Sequence, residues 1–404
     1  MMLFMPVCLL KRGRQTKMND IRNYTIIIGS KAYFSNQIVS ILSGVTLELK
    51  NDFMYMVRKH DEHGRRVSVS GISPEIADNF EKTEILIVRN DDYHGIVETA
   101  HDRLGALIED LTTEVAQILI HNPTITLEDY LRKLKSQGEI ELNYKWEKYE
   151  MLRDSQHFVN NINSIFENII GQEEAVNAIS KSIWYLTHTN RKKPFVVMLY
   201  GNSSIGKTEM VREIATQFFN GKVFEKHLSM FKNNTNAHYL FGDNPNRTSI
   251  GFELLERESN LIFLDEFDKL PDYFYSIFYT LFDNTIFSDT TYRVDISGLL
   301  IFLTSNYTNK DEMKKHLGLP IFYRIDKFIH FNDFTVETVY KIANKEIARH
   351  VNESNGQIDA DNLYSRVSCK LHAKGENART IKYVVQQEVE DLLFEEVKAE
   401  NIAT

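Results

Sequence analysis

Eight consecutive residues, Gly201-Asn202-Ser203-Ser204-Ile205-Gly206-Lys207-Thr208, set two glycines, a lysine and a threonine at the spacing G-x-x-x-x-G-K-T. Glycines at both ends let a short loop curl until its backbone N–H groups converge, and a helix that follows adds its positive N-terminal end. Such a concavity takes phosphate oxygens. Lys207 supplies a point charge for the terminal phosphates, and the Thr208 hydroxyl can ligate a divalent cation. Further along, "LIFLDEFDK" (261–269) puts Asp265 and Glu266 directly after four apolar residues. Asp265 is suited to hold the cation, and Glu266 to orient and deprotonate a water for in-line attack on a terminal phosphate. A third apolar run ends in Thr304-Ser305-Asn306, where the Asn306 amide can hold that water between Glu266 and the phosphate. The chemistry is hydrolysis of a phosphoanhydride.

Three elements must position these groups. "PFVVMLY" (194–200), "LIFLDE" (261–266) and "LLIFLTSN" (299–306) are near-continuous apolar runs, which suit strands buried on both faces of a parallel sheet. "KTEMVREIATQFF" (207–219) reads as the helix after the loop, with Met210, Val211, Ile214, Ala215 and Phe218 on one face. From about 331 the segments become mainly helical.

The 404 residues fit two or three domains, and 43% hydrophobic with 25% charged residues is ordinary for a soluble globular chain. No apolar run reaches the length of a membrane span. A net charge of −9 disfavours nucleic-acid binding through a general basic surface. Only Cys8 and Cys369 are present, which excludes a disulfide framework and fits a reducing cytoplasm. Residues 1–17 read as a tail or an over-long start, because their apolar run precedes the basic residues.

Residues 18–150 read as a separate α/β domain. Strands are expected at 24–28, 45–49, 53–59, 66–70 and 84–88 from β-branched and aromatic content. Leu104, Leu107, Ile108, Leu111, Val115 and Ile118 predict an amphipathic helix over 97–120, and a second helix is expected near Thr126. The stretch 139–160 reads as a connector. "KHDEHGRR" (59–66) carries metal-capable side chains, but adjacent residues do not converge on one ion, and a charged hairpin turn accounts for them.

Together these residues resemble the AAA+ ATPases, specifically the Clp-type unfoldase and disaggregase clade. "FENIIGQEEAVNAISKSI" (166–183) is similar to that clade's entry motif, which implies that Ile169 and Ile170 line the adenine pocket. "GNSSIGKT" resembles Walker A, "LIFLDEFDK" Walker B, and the segment ending at Asn306 sensor 1. "LPIFYRIDKFIHF" (319–331) resembles the arginine-finger segment, with Arg324 in the finger position, and "GENARTIKYVVQQEV" (375–389) the lid helix with Arg379 as sensor 2. The resemblance implies ATP and Mg²⁺ as cofactors and a homo-oligomeric, hexameric ring. It implies a large α/β subdomain over 151–330 with a parallel sheet flanked by helices, and a small helical lid over 331–404. Arg324 would then stabilise charge on the phosphate bound by a neighbouring copy, and Arg379 would report nucleotide state to its own lid.

The chain departs from that family in three places. The substrate-gripping loop is shortened, and its nearest equivalent is Ser249-Ile250-Gly251 with Phe252 just beyond. Only 17 residues separate Asn306 from Arg324, too few for a long peptidase-docking loop, so no peptidase partner is expected. The proline before Phe322 is one place off the finger pattern. Two outputs follow: an ATP-driven remodeller of a protein client, or an ATP-gated assembly switch whose N-terminal domain recognises a partner. A nucleic-acid motor ranks third.

Overall fold

The computed structural model describes residues 21–70, 80–149, 155–231, 237–354, 357–371 and 375–402. The predicted tail, 1–17, lies outside them. The chain forms two compact units: one runs through Glu147 and takes in Asn244–Thr248 and Thr290–Tyr292, and the other comprises Lys148–Asp243, Ser249–Asp289 and Arg293 onward.

In the first unit, β1 (Asn23–Ile28), β2 (Thr83–Val88), β3 (Thr112–His121) and β4 (Glu141–Trp146) make one parallel sheet in the order β2-β3-β1-β4. Helices α1 (Lys31–Ile41), α2 (Phe53–Ser70), α3 (Leu104–Leu111) and α4 (Ile125–Gln137) connect the strands. Tyr24, Ile26, Leu86, Val88, Ile118 and Ile120 form the sheet's share of the core.

Several sequence expectations are corrected here. Residues 45–49 form no strand. Val45, Leu47 and Leu49 are exposed, and the segment ends in a short turn whose Asn51 side chain donates to Ile85 O at 3.0 Å. Residues 53–59 and 66–70 belong to one helix, α2, because Phe53 and Met56 bury a single face one turn apart. "KHDEHGRR" therefore lies on a helix rather than in a hairpin turn, with Lys59 and Glu62 paired at 3.0 Å. The helix expected over 97–120 stops at Leu111, since Thr112–His121 pairs with both β1 and β2 as an inner strand and tertiary pairing overrides the helical spacing. The supposed connector contains β4 and the start of a helix at Ser155.

The second unit opens with α5 (Ser155–Asn168) and α6 (Glu173–His188). Strands β5 (Phe195–Tyr200), β6 (Phe224–His227) and β7 (Leu261–Asp265) follow, interleaved with α7 (Lys207–Phe218), α8 (Ala237–Phe241) and α9 (Ile250–Leu255). Then come α10 (Tyr275–Asp283), the antiparallel pair β8 (Ile286–Ser288) and β9 (Arg293–Asp295), β10 (Leu300–Ser305), α11 (Lys310–Phe322) and β11 (Lys327–His330). The main sheet is parallel in the order β11-β5-β10-β7-β6, and every residue of β5, β7 and β10 is buried, as their unbroken apolar runs require. The chain ends in α12 (Val336–Glu353), α13 (Ala360–Lys370) and α14 (Ala378–Ile402), which share their own core around Val339, Leu363, Ile381 and Val385.

Candidate functional site

The loop from Gly201 to Gly206 leaves the carboxyl end of β5 and opens α7. Gly201 has φ 138°, and a Cβ there would lie 2.5 Å from Phe331 O, so only glycine lets the two backbones approach. Gly206 caps α7 at φ 99°. Behind the loop, the buried Gln172 amide donates to Ile205 O at 3.1 Å and Asn332 O at 2.9 Å, and accepts from Asn332 N at 3.1 Å. From the helical end of the unit, Ala378 N donates to Ser204 O at 2.9 Å, while the Asn202 side chain donates to Asp333 Oδ1 at 2.7 Å.

Lys207 is only 7% exposed, and its ammonium donates to Gly201 O (2.7 Å), Asn202 O (2.6 Å) and Asn306 Oδ1 (3.2 Å). These acceptors are neutral, so none of the bonds cancels its charge. Burial lowers the Lys207 pKa to about 8, against the opposing pull of Asp268 and Asp265. Thr208 Oγ1 donates to Asp265 Oδ2 at 3.4 Å, and Thr304 Oγ1 donates to Asp265 Oδ1. Glu266 sits in the left-handed region, φ 57° and ψ 44°, with its N–H on Thr304 Oγ1 at 2.9 Å. A cavity of about 360 Å³ is lined by Ser203, Ser204, Gly206, Lys207, Thr208, Asp265, Glu266, Asn306 and Arg379. Ile169, Ile170, Ile205 and Gly206 line a neighbouring cavity of about 200 Å³, with Ile342 and Ala378 opposite. A phosphate chain suits the first, polar cavity; the second sets the faces of Ile169, Ile170, Ile205 and Ile342 beside Asn168, Glu209, Lys345, Glu346 and Lys382, which suits a flat ring with polar edges. The hydroxyl and carboxylate oxygens of Thr208 and Asp265 are the hard donors a cation of the Mg²⁺ class takes.

Residues 197–317 match the family model of the ATPases associated with various cellular activities (AAA). Similar proteins include the chaperone protein ClpB of Malacoplasma penetrans (strain HF-2), 23% identical over 318 residues, covering 70% of this chain and 44% of that one. A ClpA homolog of Guillardia theta, an ATP-binding subunit of an ATP-dependent Clp protease, is 26% identical over 357 residues, covering 76% and 41%. The chloroplastic chaperone protein ClpC1 of Arabidopsis thaliana is 23% identical over 285 residues, covering 59% and 31%. Residues 197–317 thus match an AAA-type ATPase module, and the proteins similar to the chain over a longer stretch are of the Clp type. The chain spans less than half the length of these curated relatives.

Within the AAA+ module, most residues expected at the nucleotide line the two cavities; Gly201 and Asn202 do not but accept from Lys207 through their carbonyls, and Arg324, expected to act on a neighbouring copy, lines neither. Its guanidinium pairs with Asp283, donates to Pro320 O at 2.7 Å and stacks 4.7 Å above the Tyr279 ring. The gripping segment is also unlike its sequence equivalent. Ser249 caps α9 by accepting from Phe252 N at 3.1 Å, and Ile250 and Phe252 are 2% and 6% exposed, so both are core residues.

Sequence reading missed four groups at the site. Thr304 and His227 flank Asp265 from the strands on either side of it, Asp268 joins the cavity wall, and Gln172 braces the loop from behind. Only Gln172 had a local signal, its place in the entry motif. Among the described residues, no cluster of three or more His, Cys, Asp or Glu could hold a metal, and no helix is long and apolar enough to cross a membrane.

Proposed function

We propose that the chain binds and hydrolyses ATP between copies of itself in a ring, hexameric by analogy with the family, and works in the cytoplasm on a protein client without a peptidase partner. The observation that carries the nucleotide reading is Lys207: a buried ammonium bonded only to neutral oxygens, at a cavity lined by the 203–208 loop where it opens α7. A polyphosphate compensates that charge. Glu266 takes the proton of the attacking water, while Asn306 holds the water and Lys207 neutralises charge on the transferred phosphoryl group. Mg²⁺, held by Thr208 and Asp265, would neutralise and orient the phosphate oxygens. Arg324 of one copy would exchange Asp283 for the phosphate of its neighbour, and Arg379 would couple nucleotide state to the helical end.

A second reading has an observation in its favour. Burial of Ile250 and Phe252 removes the side chains nearest to a gripping loop, which favours an ATP-gated assembly switch in which hydrolysis resets the ring. One experiment tests both: particle mass and ATP turnover for the native chain and Glu266→Gln, with and without ATP. Turnover by the native chain, reduced at least ~10²-fold in the variant while ATP still assembles it, supports hydrolysis in a ring. Stimulation of turnover by an unfolded protein supports client remodelling, and its absence supports the switch. Failure of either protein to bind ATP refutes the nucleotide reading.

A further inference from the structure

Asp265 closes β7 with a neighbouring strand on each side. From β10, Thr304 Oγ1 holds its Oδ1. From the edge strand β6, His227 stands in register with Asp265, and its Nδ1 lies 3.3 Å from Asp265 Oδ2. That is the same oxygen the Thr208 hydroxyl reaches at 3.4 Å. The far nitrogen, Nε2, lies 3.4 Å from Glu225 Oε1, and the Glu225 carboxylate is paired with Arg212 at 3.0 Å. His227 and Arg212 both line the larger cavity. The imidazole thus lies between two carboxylates, with its Nδ1 beside the oxygen turned toward Thr208.

The geometry points to His227 as a positioning residue that fixes the Asp265 carboxylate for a divalent cation without itself touching the metal. Asp265 Oδ2 has only the long Thr208 contact on its cavity side, a hydroxyl that would turn to a bound cation, and His227 Nδ1 on its outer side gives that oxygen a second neighbour that stays. Groups that hold a ligating carboxylate in this way typically contribute 10- to 100-fold in metal affinity. The side chain is 46% exposed on an edge strand, so packing gives little reason for it. Glu225, paired with Arg212, lies beside the ring's other end. This inference rests on the reading of the cavity as a nucleotide–cation site.

The test uses the full-length chain with ADP. Mn²⁺ affinity in the ADP complex is measured by electron paramagnetic resonance, and ADP affinity is measured separately in EDTA. His227→Leu should weaken Mn²⁺ binding about 10-fold or more and leave metal-free ADP binding unchanged. His227→Asn, whose amide can reach the place of Nδ1, should recover most of the loss. Unchanged Mn²⁺ affinity in His227→Leu overturns the proposal, as does an equal loss of ADP affinity in EDTA, which would mark a merely structural role. Nitrogen hyperfine coupling to Mn²⁺ that disappears in His227→Leu overturns it in favour of direct ligation. A native chain that binds no ADP in either condition overturns the underlying site reading as well.

Discussion

Glu266 is a non-glycine residue held at φ 57° and ψ 44°, the centre of the left-handed region. A Cβ there crowds the following carbonyl and costs about 1–2 kcal/mol. The conformation turns the chain sharply out of β7, and the backbone N–H is caught by Thr304 Oγ1 at 2.9 Å. Two substitutions that both delete the carboxylate isolate the backbone effect. At an ordinary position Glu266→Gly would be less stable than Glu266→Ala by up to about 1 kcal/mol, because glycine loses more freedom on folding. Here the left-handed penalty on Ala outweighs that difference, so Glu266→Gly should be the more stable of the two by about 1 kcal/mol. Because the chain has two units, the assay is urea unfolding followed on the transition that ADP shifts, which belongs to the nucleotide-binding unit. Both variants should lose at least ~10²-fold in ATP turnover if Glu266 is the general base proposed above. If Glu266→Ala matches or exceeds Glu266→Gly in stability, the Cβ is not strained, and the argument that the backbone aims this carboxylate fails.

Further outcomes follow from single contacts. Gly201→Ala forces a Cβ to within 2.5 Å of Phe331 O at a positive φ, so nucleotide binding should fall below detection in calorimetry while the first unit still unfolds as in the native chain. Ile250→Ala and Phe252→Ala should each destabilise the second unit by about 2–5 kcal/mol in the same urea assay, as core truncations do; a loss of function at unchanged stability would restore a gripping role. His121 is 1% exposed, and burial lowers its pKa to about 4, with its Nε2 2.8 Å from Gly29 O. The folded pKa lies below the unfolded one, so the stability is fully present above about pH 6.5 and is lost as pH falls toward 4. Going from pH 7 to pH 5 should cost the first unit about 2 kcal/mol more in the native chain than in His121→Gln.

The parts of the site that the sequence reveals are those made by consecutive residues. The loop 201–208 and the Asp-Glu pair at the end of β7 are legible because one strand end and one turn fix their geometry. Thr304 and His227 are illegible because only the sheet order β10-β7-β6 brings them to Asp265, and strand register is a tertiary fact. The pairing of Arg324 with Asp283 is likewise set by how α10 and the end of α11 meet. In the first unit, local composition failed where two periodicities overlap. The helical spacing from Leu104 continues to Ile118, yet the same residues pair as a strand from Thr112 onward, and burial of Ala116, Ile118 and Ile120 between two neighbours decides it. At 53–59 the aromatic and β-branched content suggested a strand, but Phe53 and Met56 fill one helical face.

The same distinction between letters and geometry governs what the ATPase can do with its energy. Ile250-Gly251-Phe252 has the composition of a gripping loop, an aromatic beside a glycine, yet it opens a short helix and packs inward. Asp289 closes the segment: its Oδ2 accepts from Ser249 Oγ at 2.6 Å and from Gly251 N at 3.2 Å, and a Cβ on Gly251 would lie 2.3 Å from that oxygen. Gly251 is therefore a packing glycine that admits a carboxylate, where a gripping loop would use glycine for mobility. To expose Phe252, the protein would have to break the Ser249 cap and both Asp289 contacts and return a buried aromatic to water, a cost of several kcal/mol. A nucleotide cycle that spent its energy there would have little left for a client. If the chain handles a polypeptide, this segment is therefore not what grips it, and Asp289→Ala, which loosens the segment without touching the nucleotide cavity, should lower stability without raising client-stimulated turnover.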